Sequence, residues 1–155
     1  MFPTISEMCT KCLSAVGNLF HCLWSCPLIL RFWTSVIDKL CAIFKCQLNL
    51  GPRTCLLGLE EDLPARFSEK DLLHILLHCA RKCIMVQWIS DEAPSPHQWL
   101  QTVIAVIPME AFSTLLKEKP YKFYKTWDPF LDYLDYSSAQ RLRSGLLSLA
   151  WPKDP

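Results

Sequence analysis

Cys9-Thr10-Lys11-Cys12 is followed after eight residues by His21, and after four more by Cys26. Nothing else in the chain limits its fold as strongly. Two thiolates two residues apart grip one metal ion from a tight turn, and a histidine and a cysteine five positions apart can close the tetrahedron from the next element. Zinc suits three thiolates and an imidazole; cobalt or iron could take the same ligands, but availability and geometry favour zinc. Cys22 stands beside His21 and offers a sulfur in its place. The competing reading makes these cysteines small buried apolar side chains and His21 a core histidine. A closed four-ligand site leaves no position for a substrate water, so the spacing predicts a structural centre and no catalysis at the metal.

The chain holds nine cysteines, an odd number that disfavours a complete disulfide framework. Met1-Phe2-Pro3-Thr4 lacks the basic start and apolar centre of an export signal, which points to the cytoplasm or nucleus, where clustered cysteines bind metal more often than they pair. The stretch from Leu13 to Leu30 carries no formal charge over 18 residues, but Gly17, Asn18, His21, Ser25 and Pro27 interrupt it. The expectation is therefore no membrane span there.

Hydrophobic residues make up 51% of the chain, more than its polar residues can readily cover, which suggests a piece of something larger. The net charge of +1 excludes binding to nucleic acid by bulk charge alone, so any basic surface must be local.

The fold class expected is mainly α, a small zinc knuckle followed by a helical bundle. Residues 1–46 hold the knuckle and its following helix and 54–149 a helical tail, together one continuous domain. From Pro27, Leu30, Trp33, Ile37, Leu40, Cys41 and Phe44 recur at three- and four-residue steps, an amphipathic helix that starts at a proline. Thr54 to Leu59 is too short to assign. Ser68, with Asp71 three residues on, predicts a helix start, and that helix runs to Trp88 or Ile89. Ser95-Pro96 predicts another, with Trp99, Val103, Ile104 and Ile107 along one face and a kink or split at Pro108. Met109 to Lys117, Tyr121 to Trp127, Pro129 to Tyr136 and Ala139 to Leu149 read as further short helices.

A compact knuckle binds single strands by stacking bases on rings while cations meet phosphates. Lys11, Arg31 and Lys39 are the local cations, and Trp24 and Trp33 the rings, although large aromatics at helical spacing usually pack in a core. Lys117, Lys119, Lys122 and Lys125 interleave with Tyr121, Phe123, Tyr124 and Trp127 in a second cluster, of which Lys122 and Lys125 are the candidate contacts. Helix core plus solvated lysines is the plainer account of that cluster. His74 and His78 stand four apart, but Ile75 follows His74 where a metalloprotease helix needs glutamate. Tyr133-Leu134-Asp135-Tyr136 resembles a polymerase's aromatic-x-Asp-Asp turn only faintly, since Tyr136 replaces the second aspartate. No enzyme activity and no small-molecule substrate are expected.

The stretch Cys9-Thr10-Lys11-Cys12, then Gly17-Asn18-Leu19-Phe20-His21-Cys22-Leu23-Trp24-Ser25-Cys26-Pro27, then Phe32-Trp33 resembles the C-terminal zinc-binding region of reverse transcriptases from LINE-type non-LTR retrotransposons. The likeness continues through Cys55-Leu56-Leu57-Gly58, Leu72-Leu73, Ala80-Arg81, Ile84, Trp88, Trp99, Met109-Glu110, Phe123, Trp127 and Tyr133. This resemblance implies zinc ligands at Cys9, Cys12, His21 and Cys26, and a non-catalytic tail that binds RNA or single-stranded DNA beside a reverse-transcriptase core. Pro108 departs from the continuous helix usual in that family, and the sequence begins directly at the knuckle; both fit a fragment or relic of a retrotransposon reading frame. The alternative reading is a protein-docking module, or a relic without nucleic-acid binding of its own.

Overall fold

The computed structural model describes residues 7–134 and Ser144. Among these residues the chain is mainly α: a π turn at His21–Ser25, then α1 (Pro27–Phe44), α2 (Pro52–Leu57), α3 (Lys70–Val86), α4 (Pro96–Leu116) and α5 (Pro120–Tyr133). One antiparallel bridge, Met8 to Val16, closes the N-terminal loop, and no described residue belongs to a sheet. The expected knuckle ahead of helices is what the structure has.

Four of the five helices begin with proline in the first turn, where its missing N–H costs nothing and its fixed φ suits the helix. Ser95 caps α4 as expected: its side chain accepts from the Gln98 backbone N–H while the Gln98 side chain accepts from the Ser95 N–H. Ser68 does not cap α3. That helix starts later, behind Glu69, and the Ser68 N–H instead meets the Glu69 carboxylate at 3.2 Å. The unassigned run at Thr54 becomes α2, stopped by Gly58 in the left-handed conformation at φ 74°.

Two expected breaks do not occur. Pro108 lies inside an unbroken α4, so the separate helix expected from Met109 to Lys117 is the second half of α4. Pro129 likewise lies inside α5, which merges the Tyr121–Trp127 segment with the start of the next. Pro108 faces solvent, where water can satisfy the carbonyl left without its N–H partner. The Ala139 to Leu149 helix, Asp135 and Tyr136 lie outside the described residues.

The core forms where α1 packs against α3, α4 and α5, and α3 against α4. α1 buries Ile29, Phe32, Trp33, Val36, Leu40 and Ile43, each worth about 1.5–3 kcal/mol for a fully buried aliphatic or phenyl side chain. This stripe is rotated from the expected one: Leu30 remains 44% exposed, and Ile37, Cys41 and Phe44 are only half-buried. The helix is apolar on two adjoining faces, and packing against three later helices chooses between them. Trp99 from α4 is fully buried and donates its indole N–H to the Leu76 carbonyl of α3 at 3.0 Å. Trp127, Phe123 and Phe130 close the α5 side with stacked and edge-on rings.

The uncharged stretch from residue 13 to residue 30 is divided among the knuckle, the π turn and the first turn of α1. α4 is the one helix among the described residues long and apolar enough to cross a membrane. One face of it, with Trp99, Val103 and Ile107, is buried in the core.

Candidate metal centre

The first two candidate ligands sit in a tight loop held by its own backbone. The Cys9 N–H donates to the Ala15 carbonyl at 2.8 Å, Leu13 N–H returns to the Cys9 carbonyl at 2.9 Å, and Gly17 N–H reaches the Glu7 carbonyl at 2.7 Å. Leu13 adopts a left-handed φ of 54°, which turns the chain back after Cys12. Gly17 lies so close beneath Cys9 that a Cβ there would stand 3.2 Å from the Cys9 Cα and N.

The other two ligands come from the π turn. An α-helix turns about 100° per residue, so residues five apart would stand about 140° from each other around the axis. Here the Cys26 N–H bonds the His21 carbonyl at 2.8 Å, an i→i+5 closure that widens the turn and brings the two side chains to one side. Asn18 starts this turn, its Oδ1 accepting from the His21 N–H at 2.8 Å in the manner of a helix N-cap. Pro27 then begins α1 directly after Cys26.

The ligand atoms of Cys9, Cys12, His21 and Cys26 all lie within 4.8 Å of one another. Zn–S bonds of about 2.3 Å and a Zn–N bond of about 2.05 Å in a regular tetrahedron require S···S edges of about 3.8 Å and S···N edges of about 3.6 Å. The Cys9 and Cys26 sulfurs are 3.9 Å apart, and the Cys12 sulfur is 3.3 Å from His21 Nε2. These two edges lie within a few tenths of an ångström of the tetrahedral values, and the donor set could hold a metal ion such as zinc. His21 Nδ1 faces the Ser25 hydroxyl at 3.5 Å, which would orient the ring with Nε2 toward the sulfurs. Cys22 is outside the mutually close set, and burial, with Cys9 and Cys26 nearby, pushes its thiol pKa up.

Electrostatics divide the thiols. The side chain and backbone of Ser14 hydrogen-bond Cys12 and, with His21 and Cys9, hold its pKa down to about 6, so it is ready as a thiolate at neutral pH. Burial pushes the Cys26 thiol up, opposed by the amides of Ile29 and Leu28. Far from the cluster, burial pushes Cys55 to about 12 and Cys79 to about 11; these are packing thiols.

The cations singled out from the sequence fall in different places. Lys11 donates its ammonium to the carbonyls of Gln87 at 2.7 Å and Ser90 at 2.6 Å, beyond the C-terminus of α3. Arg31 is exposed on α1, while Lys39 is half-buried with Nζ 3.5 Å from the Tyr133 hydroxyl. Lys122 and Lys125 are exposed on α5. Trp33 is fully buried and donates to the Leu23 carbonyl at 2.9 Å, with Trp24 against it at a ring separation of 5.7 Å. His74 turns to Glu60 at 3.4 Å.

No protein-family model and no solved structure matches this chain. What stands is a mainly helical protein with a Cys3His cluster that could hold a metal ion. Sequence reasoning missed Asn18, Ser14 and Ser25, the residues that position the cluster. Asn18 was findable, because an asparagine three residues ahead of a ligand on a helical turn is an N-cap pattern.

Proposed function

We propose that Cys9, Cys12, His21 and Cys26 hold one structural zinc ion, and that the chain is a non-catalytic module that binds RNA or single-stranded DNA. The zinc reading is supported by the convergence of the four donor atoms within 4.8 Å of one another, with the Cys9–Cys26 and Cys12–His21 edges close to the tetrahedral values. Zinc would fasten a loop and turn too short to fold alone, and its thiolates suit a reducing compartment, the cytoplasm or nucleus. The nucleic-acid reading is supported by the exposed Arg31, Lys122 and Lys125 and by the resemblance to the zinc-binding tail of LINE-type retrotransposon reverse transcriptases.

Zinc content per chain, measured by mass spectrometry under native conditions, tests the centre. One ion in the wild type and none in Cys12→Ser is expected; a folded wild type without metal overturns it. Binding of single-stranded RNA across a salt series tests the second half. A strand neutralised by Arg31, Lys39, Lys122 and Lys125 loses affinity with a log–log slope of about −3 in salt.

A docking module is the second reading, and α4 favours it. Met109, Phe112 and Leu116 lie along one helical stripe and are 69%, 48% and 68% exposed. Concentration-dependent self-association without RNA binding would select this reading over the first.

A further inference from the structure

A cleft of about 690 Å³ opens between α3, the end of α4 and α5, within the range of about 300–1,000 Å³ usual for ligand sites. Three lysines line it: Lys117, Lys119 and Lys122. All three are exposed, and among the described residues none of their ammoniums makes an ion pair. Ser113 and Thr126 add hydroxyls to the wall.

The backbone places these lysines at a cost. α4 ends with the Lys119 N–H bonded to the Thr114 carbonyl at 2.9 Å, a helix stop whose left-handed position is usually glycine. Here that position is Glu118, at φ 55°. The residues on either side of it, Lys117 and Lys119, line the cleft, and Glu118 does not. The turn puts the two flanking lysines on the wall of one hollow and leaves Glu118 off it.

We infer that this cleft binds a phosphoryl group, with Lys117, Lys119 and Lys122 meeting its oxygens. Asp71 and Glu110 also line the cleft, and their carboxylates repel the phosphate while accepting from hydroxyl or amino groups on the rest of the ligand. The ligand class is therefore a phosphate joined to a donor-bearing moiety, as in a nucleotide. That nucleotide is either free or part of a strand. A second hollow of about 370 Å³ shares Asp71, Lys122 and Thr126 and continues to Lys125 and Tyr121, a path open to a strand. The strand case rests on the nucleic-acid reading above; the free-nucleotide case does not.

Isothermal titration with pyrophosphate, AMP and a short single-stranded RNA tests the site on the wild type, on the triple variant Lys117→Gln/Lys119→Gln/Lys122→Gln and on Arg31→Gln, with circular dichroism to establish that each is folded. Saturable pyrophosphate and AMP binding, weakened about tenfold or more in the triple variant, is expected. RNA that binds more tightly than AMP and is weakened by the same variant assigns the site to a strand; RNA no tighter than AMP assigns it to a free nucleotide. RNA binding lost in Arg31→Gln yet intact in the triple variant overturns the cleft and leaves the nucleic-acid reading standing. Absence of saturable pyrophosphate and AMP binding, or equal binding by the triple variant, overturns the cleft outright.

Discussion

Lys11 Nζ donates to the Gln87 carbonyl at 2.7 Å, linking the loop between the first two candidate metal ligands to the end of a helix 76 residues later. A cation beyond the last turn of α3 meets carbonyls that no intrahelical N–H can satisfy and the negative end of the helix dipole. Lys11 thus connects the candidate metal centre to the corner between α3 and α4.

Lys11→Met should leave the proposed zinc content unchanged while lowering stability to denaturant by about 1–3 kcal/mol, the range for hydrogen bonds to a charged group at a partly exposed site. Hydrogen exchange would show faster amides in residues 84–90, at the end of α3. Unchanged exchange there would remove the link.

Gly17→Ala places a methyl 3.2 Å from the Cys9 backbone. The loop has to open, and a loss of about 1–3 kcal/mol in thermal or denaturant unfolding is expected. An equally stable variant would show that the loop yields freely.

In the metal-free, reduced chain, Cys12 should ionise in a separate early step near its pKa of about 6, seen as thiolate absorbance and absent from Cys12→Ser, wherever the loop keeps its fold; loss of that step shows that the loop needs the metal. Because this pKa is lowered by folding, the stabilisation it brings is present in full above the ordinary thiol value of 9.0 and is lost as pH falls through about 6. The thiol of Cys26 is shifted the opposite way, so its proton leaves only above the ordinary value.

Asp62 accepts from the Gly51 N–H at 2.9 Å and from the buried Thr54 hydroxyl at 2.8 Å. Asp62→Ala would strand that hydroxyl and cost about 1–3 kcal/mol in unfolding free energy. The same contacts, the Gly51 N–H first, hold the Asp62 pKa below its ordinary value, so acid should weaken α2 only once pH falls below the usual carboxylate range.

The ligand quartet was legible because all four residues lie within 17 positions of one another and their spacing has a direct geometric meaning. The π turn was not legible, since an i→i+5 closure leaves no compositional mark distinct from a short helix. Helix starts at Pro27 and at Ser95-Pro96 could be read from local capping chemistry. Pro108 and Pro129 misled for the converse reason: a proline rule is local, whereas neighbouring helices hold α4 and α5 continuous. The role of Lys11 depends on partners 76 and 79 residues away, and no pattern around it announces them.

The short span of the candidate metal centre also bears on the order of folding. Cys9 and Cys26 close a loop of 17 residues, whereas Lys39 meets Tyr133 only after 94 have been brought together. Closing a short loop takes about 10–100 ns for ten residues, and contacts between distant residues form far later. On the proposed zinc site, a metal ion would be captured by a chain whose helices are still unassembled, and the knuckle would act as a seed for α1, with Cys26 as the last candidate ligand and Pro27 as the first residue of the helix.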